Sequence, residues 1–226
     1  MCPVTDYRAL NKATVKKSYP LPLIEELLDT LQGAKWFTKL DLIASYHQVQ
    51  MNLNDVWKTT LKTKFGLFEW KVIPFGLTNA PTTFVRLISD IFRTHLGRIV
   101  VIYLNGILIF SQTWDTHMQH VRQVLEILQE HKLQGIEKKS YFGQSLVPYL
   151  IFVVNSGGIE PNPTCIEALK QWPLPSSASE LKHFLGGINF YHIFILHFSQ
   201  ISHLLHQLSN SFDTFSWTNE ATSHFG

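Results

Sequence analysis

Hydrophobic and polar positions along this chain change period several times, and each change predicts an element. Leu21 to Gly33 has apolar residues at helical spacing. Pro22 suits the first turn, Glu25 and Glu26 suit the positive N-terminal end, and Gly33 stops the helix. Trp36 to Leu42 alternates as a strand. Thr59 to Lys64 and Leu67 to Ile73 flank Phe65-Gly66 as a hairpin that Pro74 closes. Pro81 opens a helix running to about Leu96, and Gly97 ends it. Ile99 to Leu104 and Ile107 to Phe110 are two apolar runs around Asn105-Gly106, a strong hairpin signal because both residues tolerate φ > 0.

Thr113 then caps a long helix to about Leu133, with Val121, Val124, Leu125 and Leu128 as its apolar stripe. Val147 to Val154 and Ile159, around Gly157-Gly158, predict another hairpin. Trp172 to Ser179, rich in proline and serine, is a linker, and helical segments follow over Ser179 to His197 and Ser199 to Leu208. This order predicts an α+β domain with an antiparallel sheet, followed by a helical appendage. There is no internal repeat.

Composition narrows the class. The chain has 226 residues, 45% hydrophobic and 16% charged, with a net charge of +2. That is enough chain to bury a core and too apolar for disorder. Two cysteines, Cys2 and Cys165, cannot make a disulfide framework, which points to a reducing compartment. The N-terminus lacks the basic and apolar regions of a signal peptide, and no apolar run is long enough to span a membrane. The expected location is therefore cytoplasmic or nuclear. Charge is uneven: nine Lys/Arg against six Asp/Glu in residues 1–64, but two against four in 161–226. From His183 to Phe212 there is no Asp, Glu, Lys or Arg.

The most informative carboxylate is Asp41, at the end of a predicted strand. Alone, it is either a residue at the mouth of a sheet or a helix N-cap for the next turn. Asn105-Gly106, alone, is a plain turn. His117-x-x-His120 and His203-x-x-His206 could each place two imidazoles on one helix face. Neither has a nearby cysteine pair to complete a zinc site, so they are expected as solvated or capping residues. There is no glycine-rich phosphate loop.

Several blocks occur in a fixed order: Asp6-Tyr7-Arg8-Ala9-Leu10-Asn11, Tyr19-Pro20-Leu21-Pro22, Lys39-Leu40-Asp41-Leu42 with Tyr46-His47-Gln48, and Pro74-Phe75-Gly76-Leu77-Thr78-Asn79-Ala80-Pro81. Trp172-Pro173, Phe184-Leu185-Gly186, Asn189, Tyr191, Phe198-Ser199 and Trp217-Thr218 continue the series. Together they closely resemble the reverse transcriptase of gypsy-type LTR retrotransposon Pol polyproteins, across nearly the whole chain.

The resemblance implies a right-hand polymerase fold. The antiparallel-sheet palm would lie at 34–48 and 81–160, with partial fingers at 1–33 and 49–80. A helical thumb or connection would follow at 161–226, so the expected domains are 1–160 and 161–226, ending before a ribonuclease H region. The implied activity is RNA-directed DNA polymerisation. In it, a primer 3′-hydroxyl attacks the α-phosphate of a deoxynucleoside triphosphate, with two Mg²⁺ ions bridging the attacking and leaving oxygens. The implied partners are an RNA or DNA primer–template and the nucleotide, with no membrane. Tyr46 matches the aromatic that excludes a 2′-hydroxyl, Phe75 and Gly76 match the element near the incoming base, and Arg8 and Tyr103 fall at template or primer positions.

The family places three aspartates on the metals, one matching Asp41 and two in a Tyr-x-Asp-Asp box. Here that box reads Tyr103-Leu104-Asn105-Gly106. One carboxylate remains of three, so Mg²⁺ binding is expected to be weak or absent and the chain catalytically inactive. Other departures agree. Ser45 and Ile151 stand where glycine is usual, Ile43 where arginine is common, and His192-Ile193 where the family runs basic. The expected reading is a degenerate copy, truncated at both ends. The alternatives are a non-catalytic nucleic-acid-binding module, resting on Arg8, Lys12, Lys16, Lys17, Lys58, Lys62 and Lys64, and a protein-interaction remnant built on the apolar C-terminal helices.

Overall fold

The computed structural model describes residues 5–19, 26, 29–43, 45–103, 106–210 and 215–217. The chain divides into two compact units, Met1–Glu160 and Pro161–Gly226. The helix expected over 21–33 lies largely outside the described residues.

The first unit opens with helix α1 (Arg8–Ala13) and strand β1 (Trp36–Asp41). A short two-stranded sheet follows, β2 (Leu61–Thr63) and β3 (Gly66–Phe68), then helix α2 (Ala80–Ile91). Strands β4 (Val100–Tyr103) and β5 (Gly106–Ser111) precede the long helix α3 (Trp114–Glu130). Strands β6 (Tyr141–Gln144), β7 (Leu146–Tyr149), β8 (Phe152–Asn155) and β9 (Gly158–Pro161) complete it. The main sheet runs β4-β5-β1-β6, and β7-β8-β9 form a sheet of their own. The pairings of β1 with β5 and β6, and of β4 with β5, are antiparallel.

The hydrophobic pattern explains the layering. Leu40, Ile102, Ile107 and Ile109 from the sheet bury against Phe84, Ile88 and Phe92 near α2 and against Val121, Val124 and Leu128 of α3. Each such side chain contributes about 1.5–3 kcal/mol when fully buried. Strand alternation then decides the rest. Because Leu40 turns into the helix-covered core, Asp41 turns to the other face.

Several boundaries differ from the sequence expectation, each for a local reason. The central hairpin pairs Tyr103 with Gly106, so Gly106 is the first residue of β5 rather than half of the turn. The loop hairpin pairs Thr63 with Gly66, and its turn residues are Lys64 and Phe65. Helix α2 stops at Ile91 instead of about Leu96, because the chain turns back so that Leu96 bridges Val100. Strand β6 was not expected; Tyr141 to Gln144 has no clean alternation and owes its conformation to pairing with the edge of β1.

The second unit contains helices α4 (Pro163–Lys170), α5 (Ala178–Ile188) and α6 (Phe198–Asn210). Helix α4 was not expected; the Asn162 side chain accepts from the Thr164 N–H and Pro163 sits at its first position. Asn189 to Phe194, expected as continuous helix, tightens into a 3-10 segment. Ser177 caps α5 by accepting from the Glu180 N–H, and Glu180 accepts from the N–H and hydroxyl of Ser176. Leu181, Phe184, Leu185 and Leu205 form the core of this unit, with Trp217 packed against it.

Candidate active site

Asp41 ends β1 directly opposite Gly106, which is itself paired with Tyr103 on β4. Three positions singled out from sequence therefore meet at one end of the central sheet. The Asp41 main chain is held firmly. Its carbonyl accepts from the Ile136 N–H at 2.7 Å, and its N–H donates to Ser140 Oγ at 3.3 Å. Ser140 Oγ in turn donates to the Ile136 carbonyl at 2.7 Å. Among the described residues no hydrogen bond or ion pair engages the Asp41 carboxylate. Of the two readings left open from sequence, the sheet mouth is the one observed.

Gly106 contributes no side chain to this end of the sheet, and Asn105 lies outside the described residues. No group of three His, Cys, Asp or Glu side chains that could hold a metal ion occurs among the described residues. A pair of Mg²⁺ ions calls for several carboxylate oxygens close together. The donor set here offers one carboxylate, so the residues present do not fit that pair.

Tyr149, which lies in the predicted hairpin run Val147 to Val154 but was given no role from sequence, supports this end of the sheet. It is fully buried on β7, and its hydroxyl donates toward the carbonyls of Gly106 at 3.3 Å and Val101 at 3.5 Å. Burial pushes the phenol far above its ordinary value, so it stays a donor. A polar-tipped aromatic in an otherwise apolar strand, Leu146-Val147-Pro148-Tyr149, was the available signal.

Tyr46 lies in a 3-10 turn, Ser45–Gln48, and packs against the main core. Its ring meets Phe75 at 5.2 Å and, edge-on, Phe84 at 6.0 Å. Burial raises its phenol pKa. Tyr46 and Phe75, both singled out from sequence, are thus in ring contact. Gly76 has φ +104°, and a Cβ there would lie 2.9 Å from the Thr5 carbonyl oxygen. Only glycine suits that approach. Its carbonyl accepts from Asn11 Nδ2 at 2.8 Å, and Asn11 Oδ1 accepts from the Thr78 N–H at 2.9 Å. One α1 side chain thereby clamps the Phe75–Thr78 loop.

Gln48 was quoted from sequence without a role. Its Oε1 accepts from the Gln134 N–H at 2.7 Å, and its Nε2 donates to the carbonyls of Ile43 and Gln134, tying the segment after Asp41 to the loop that follows α3. Next to it, His47 stacks on Trp70 at 5.2 Å, and His47 Nε2 and Trp70 Nε1 are buried without a partner among the described residues.

Arg8 is not gathered into this group. Its guanidinium is 87% exposed and pairs with Asp6 at 2.7 Å, which raises the Arg8 pKa and lowers that of Asp6. His117 corrects a further expectation, since it is neither solvated nor a cap. It is wholly buried and hydrogen-bonded at both nitrogens, Nε2 to Thr38 Oγ1 at 2.7 Å and Nδ1 to Ser111 Oγ at 2.9 Å. Ser111 Oγ also reaches His120 Nδ1 at 2.8 Å.

Comparison with known proteins gives the family and the fold. Residues 1–154 match the family described as reverse transcriptase (RNA-dependent DNA polymerase). The chain is 38% identical over 206 residues to the retrovirus-related Pol polyprotein from transposon opus of Drosophila melanogaster, covering 91% of this chain and 20% of that protein. It is 34% identical to the corresponding polyprotein from transposon gypsy of the same organism, covering 88% and 19%. It is 36% identical to the transposon Tf2-3 polyprotein of Schizosaccharomyces pombe, covering 95% and 16%. The chain thus spans about a fifth of the length of these relatives. In fold it is similar to the foamy viral protease-reverse transcriptase in complex with double-stranded DNA, with a TM-score of 0.85 at 24% identity over 97% of this chain and 39% of that one. The same protein with an RNA/DNA hybrid gives 0.83 at 24% identity, over 98% and 30%.

Proposed function

The chain belongs to the reverse transcriptase family, and on that premise we propose that it is a reverse-transcriptase module of a retrotransposon Pol polyprotein that does not polymerise. Within it the fingers are residues 1–33 and 49–80, the palm 34–48 and 81–160, and the thumb 161–226. The fingers and palm would meet an RNA or DNA primer–template, with Arg8 and Tyr103 on the strand side and Tyr46, Phe75 and Gly76 beside a deoxynucleotide. What supports the nucleotide assignment is the contact of Tyr46 with Phe75 and the clamp from Asn11 onto the Gly76 loop.

One observation carries the inactivity: Asp41 faces Gly106, a residue without a side chain. The family reaction needs divalent ions placed by several carboxylates, and losing one such ligand costs several kcal/mol of transition-state stabilisation, roughly 2–4 for a single electrostatic donor. With Asn105 and Gly106 in the box, two are missing. The reaction is therefore not assigned to this chain.

Primer extension on an RNA template with Mg²⁺ or Mn²⁺ tests this. The expected result is no template-dependent incorporation by the unmodified chain. Robust incorporation that Asp41→Ala abolishes would overturn it. The double variant Asn105→Asp, Gly106→Asp is expected to regain incorporation if fingers and thumb are otherwise adequate.

A further inference from the structure

Helix α3 ends in a reversal of the kind that takes glycine. The Leu133 N–H donates to the Leu128 carbonyl at 2.8 Å and the Lys132 N–H to the Gln129 carbonyl at 3.0 Å, the paired bonds of a glycine-type helix stop. The left-handed residue of this stop is Lys132, with φ +56°. A Cβ is strained in that conformation and glycine is not. Leu133, just past the reversal, is buried with Leu128 in the main core, so the turn is pinned where it stands. A lysine held there costs stability, and the strain points to a use for its side chain.

Lys132 lines a cavity of about 530 Å³, within the range of small-molecule sites. The floor is apolar and buried, made by Leu40 of β1, Leu128 of α3 and Leu133. On the same lining stand Leu125, 43% exposed, and Phe142 of β6, 45% exposed. These two side chains remain half in water beside a dry floor, and an occupant of the cavity would bury them. Leu40 turns to the helix side of the sheet and Asp41 to the other, so this cavity is separate from the mouth where Asp41 meets Gly106.

The charged residues on the lining are Lys132 and Glu137, and neither has an ion pair among the described residues. Glu137 opens a 3-10 turn with an ordinary backbone, so nothing marks its charge as kept at a cost. From Lys132 to Lys139 three lysines stand against that one glutamate, which favours an anion. A cation near the end of α3 also answers the negative end of the helix. That role needs neither the cavity nor the left-handed position, since a lysine in place of His131, with φ −86°, would serve it without strain.

We propose that this cavity binds a small apolar molecule carrying one anionic group, of the aryl carboxylate or sulfonate class. Its body lies on Leu40, Leu128 and Leu133 between Leu125 and Phe142, and Lys132 holds the anionic group at the rim. The inference goes beyond the polymerase reading and does not depend on whether Asp41 supports catalysis.

Two fluorescent probes test it on the full chain: anilinonaphthalene sulfonate, and phenylnaphthylamine, which is the same body without the sulfonate. Lys132→Gln is expected to weaken the sulfonate by about threefold to fivefold, the worth of an ion pair at an exposed rim, and to leave the neutral probe unchanged. Lys132→Gly is expected to weaken the sulfonate equally while raising the melting temperature by about 2 °C, because the strain is relieved. Leu125→Ala with Phe142→Ala is expected to weaken both probes by about tenfold, with the melting temperature within a few degrees of the parent. The proposal is overturned if Lys132→Gln leaves sulfonate affinity unchanged, which would make the lysine a helix-end charge only. It is also overturned if that variant weakens both probes alike, or if the Leu125 and Phe142 double variant binds both as the parent does. Loss of probe binding in Trp57→Ala would place the probes on other exposed rings and overturn it as well.

Discussion

The hydroxyl of Tyr149 donates to the carbonyl of Gly106 at 3.3 Å, and a ring carbon of the same tyrosine lies 3.4 Å from where a Cβ on residue 106 would stand. The end of β7 and the start of β5 in the central hairpin are thus joined by one side chain, at a position where the resemblance to the family implies an aspartate. Residue 106 does not have a left-handed backbone, and its next nearest neighbour, the Tyr103 carbonyl, is 3.6 Å from that Cβ. Gly106→Asp is therefore expected to fold, with a melting temperature within a few degrees of the parent. Tyr149→Phe is expected to cost about 1 kcal/mol, the value of one buried hydrogen bond. Urea unfolding of both variants checks this; an insoluble Gly106→Asp would contradict it.

His117 gives the chain an acid-sensitive core. Burial, with a smaller contribution from nearby His120, lowers its pKa from 6.5 to about 4. One consistent direction of donation fits the neutral ring. The Gly143 N–H donates to Thr38 Oγ1, that hydroxyl to His117 Nε2, His117 Nδ1–H to Ser111 Oγ, and that hydroxyl to His120 Nδ1. A folded-state value below the unfolded one means that the unfolded chain binds the proton more readily. The stabilisation is fully present above pH 6.5 and is lost as pH falls toward 4. Urea unfolding across that range should show a loss of at most about 3 kcal/mol from this residue. His117→Gln should lower stability at neutral pH and flatten the profile; an unchanged profile would refute the assignment.

Leu150 carries backbone strain. Tyr149 pairs with Phe152, so Leu150-Ile151 is a two-residue turn, and Leu150 has φ +61°. Such turns take glycine at a left-handed position, because a Cβ there costs about 1–2 kcal/mol. Leu150→Gly is expected to raise stability by about 0.5–1 kcal/mol, part of that relief being offset by the greater freedom of glycine in the unfolded chain. The resemblance to the family implies a glycine at Ile151, whereas the positive φ falls one residue earlier. The matched substitution Ile151→Gly should therefore destabilise, and thermal melting of the pair decides the matter.

Gly143 is flush against an aromatic. A Cβ there would lie 2.7 Å from Trp114 Cζ3, and its φ of +57° is left-handed. Trp114 is itself set edge-on to Trp36 at 4.8 Å. Gly143→Ala is expected to push the Trp114 ring outward and to cost about 1–3 kcal/mol, with a change in tryptophan fluorescence. An unaltered spectrum and melting temperature would show that the ring moves freely.

Legibility from sequence followed the range of the forces involved. Helix α3 and its Thr113 cap, strand β1, and the apolar strands β4 and β5 depend on near neighbours, and their residues announce them. Strand β6 and the Gln48–Gln134 link depend on residues distant in the chain, and nothing local marks them. The site divides in the same way. Asp41 and the altered box could be read as letters, whereas Tyr149 beneath the hairpin and the buried state of His117 could not.

By itself the sequence determined which chemical groups exist: the carboxylate of Asp41, an amide at 105 and a bare glycine at 106 where the resemblance implies two further aspartates, and the lysines of the front half. Those are facts of composition at fixed positions, and folding cannot add a carboxylate. The tertiary structure decided which of these groups meet. It set Asp41 opposite Gly106 rather than capping a helix, hid His117 between two hydroxyls, and left Trp57 and Phe65 in solvent. The physical reason is that burial, register and hydrogen-bond partners arise from contacts between segments far apart in the chain, where local pattern carries no information.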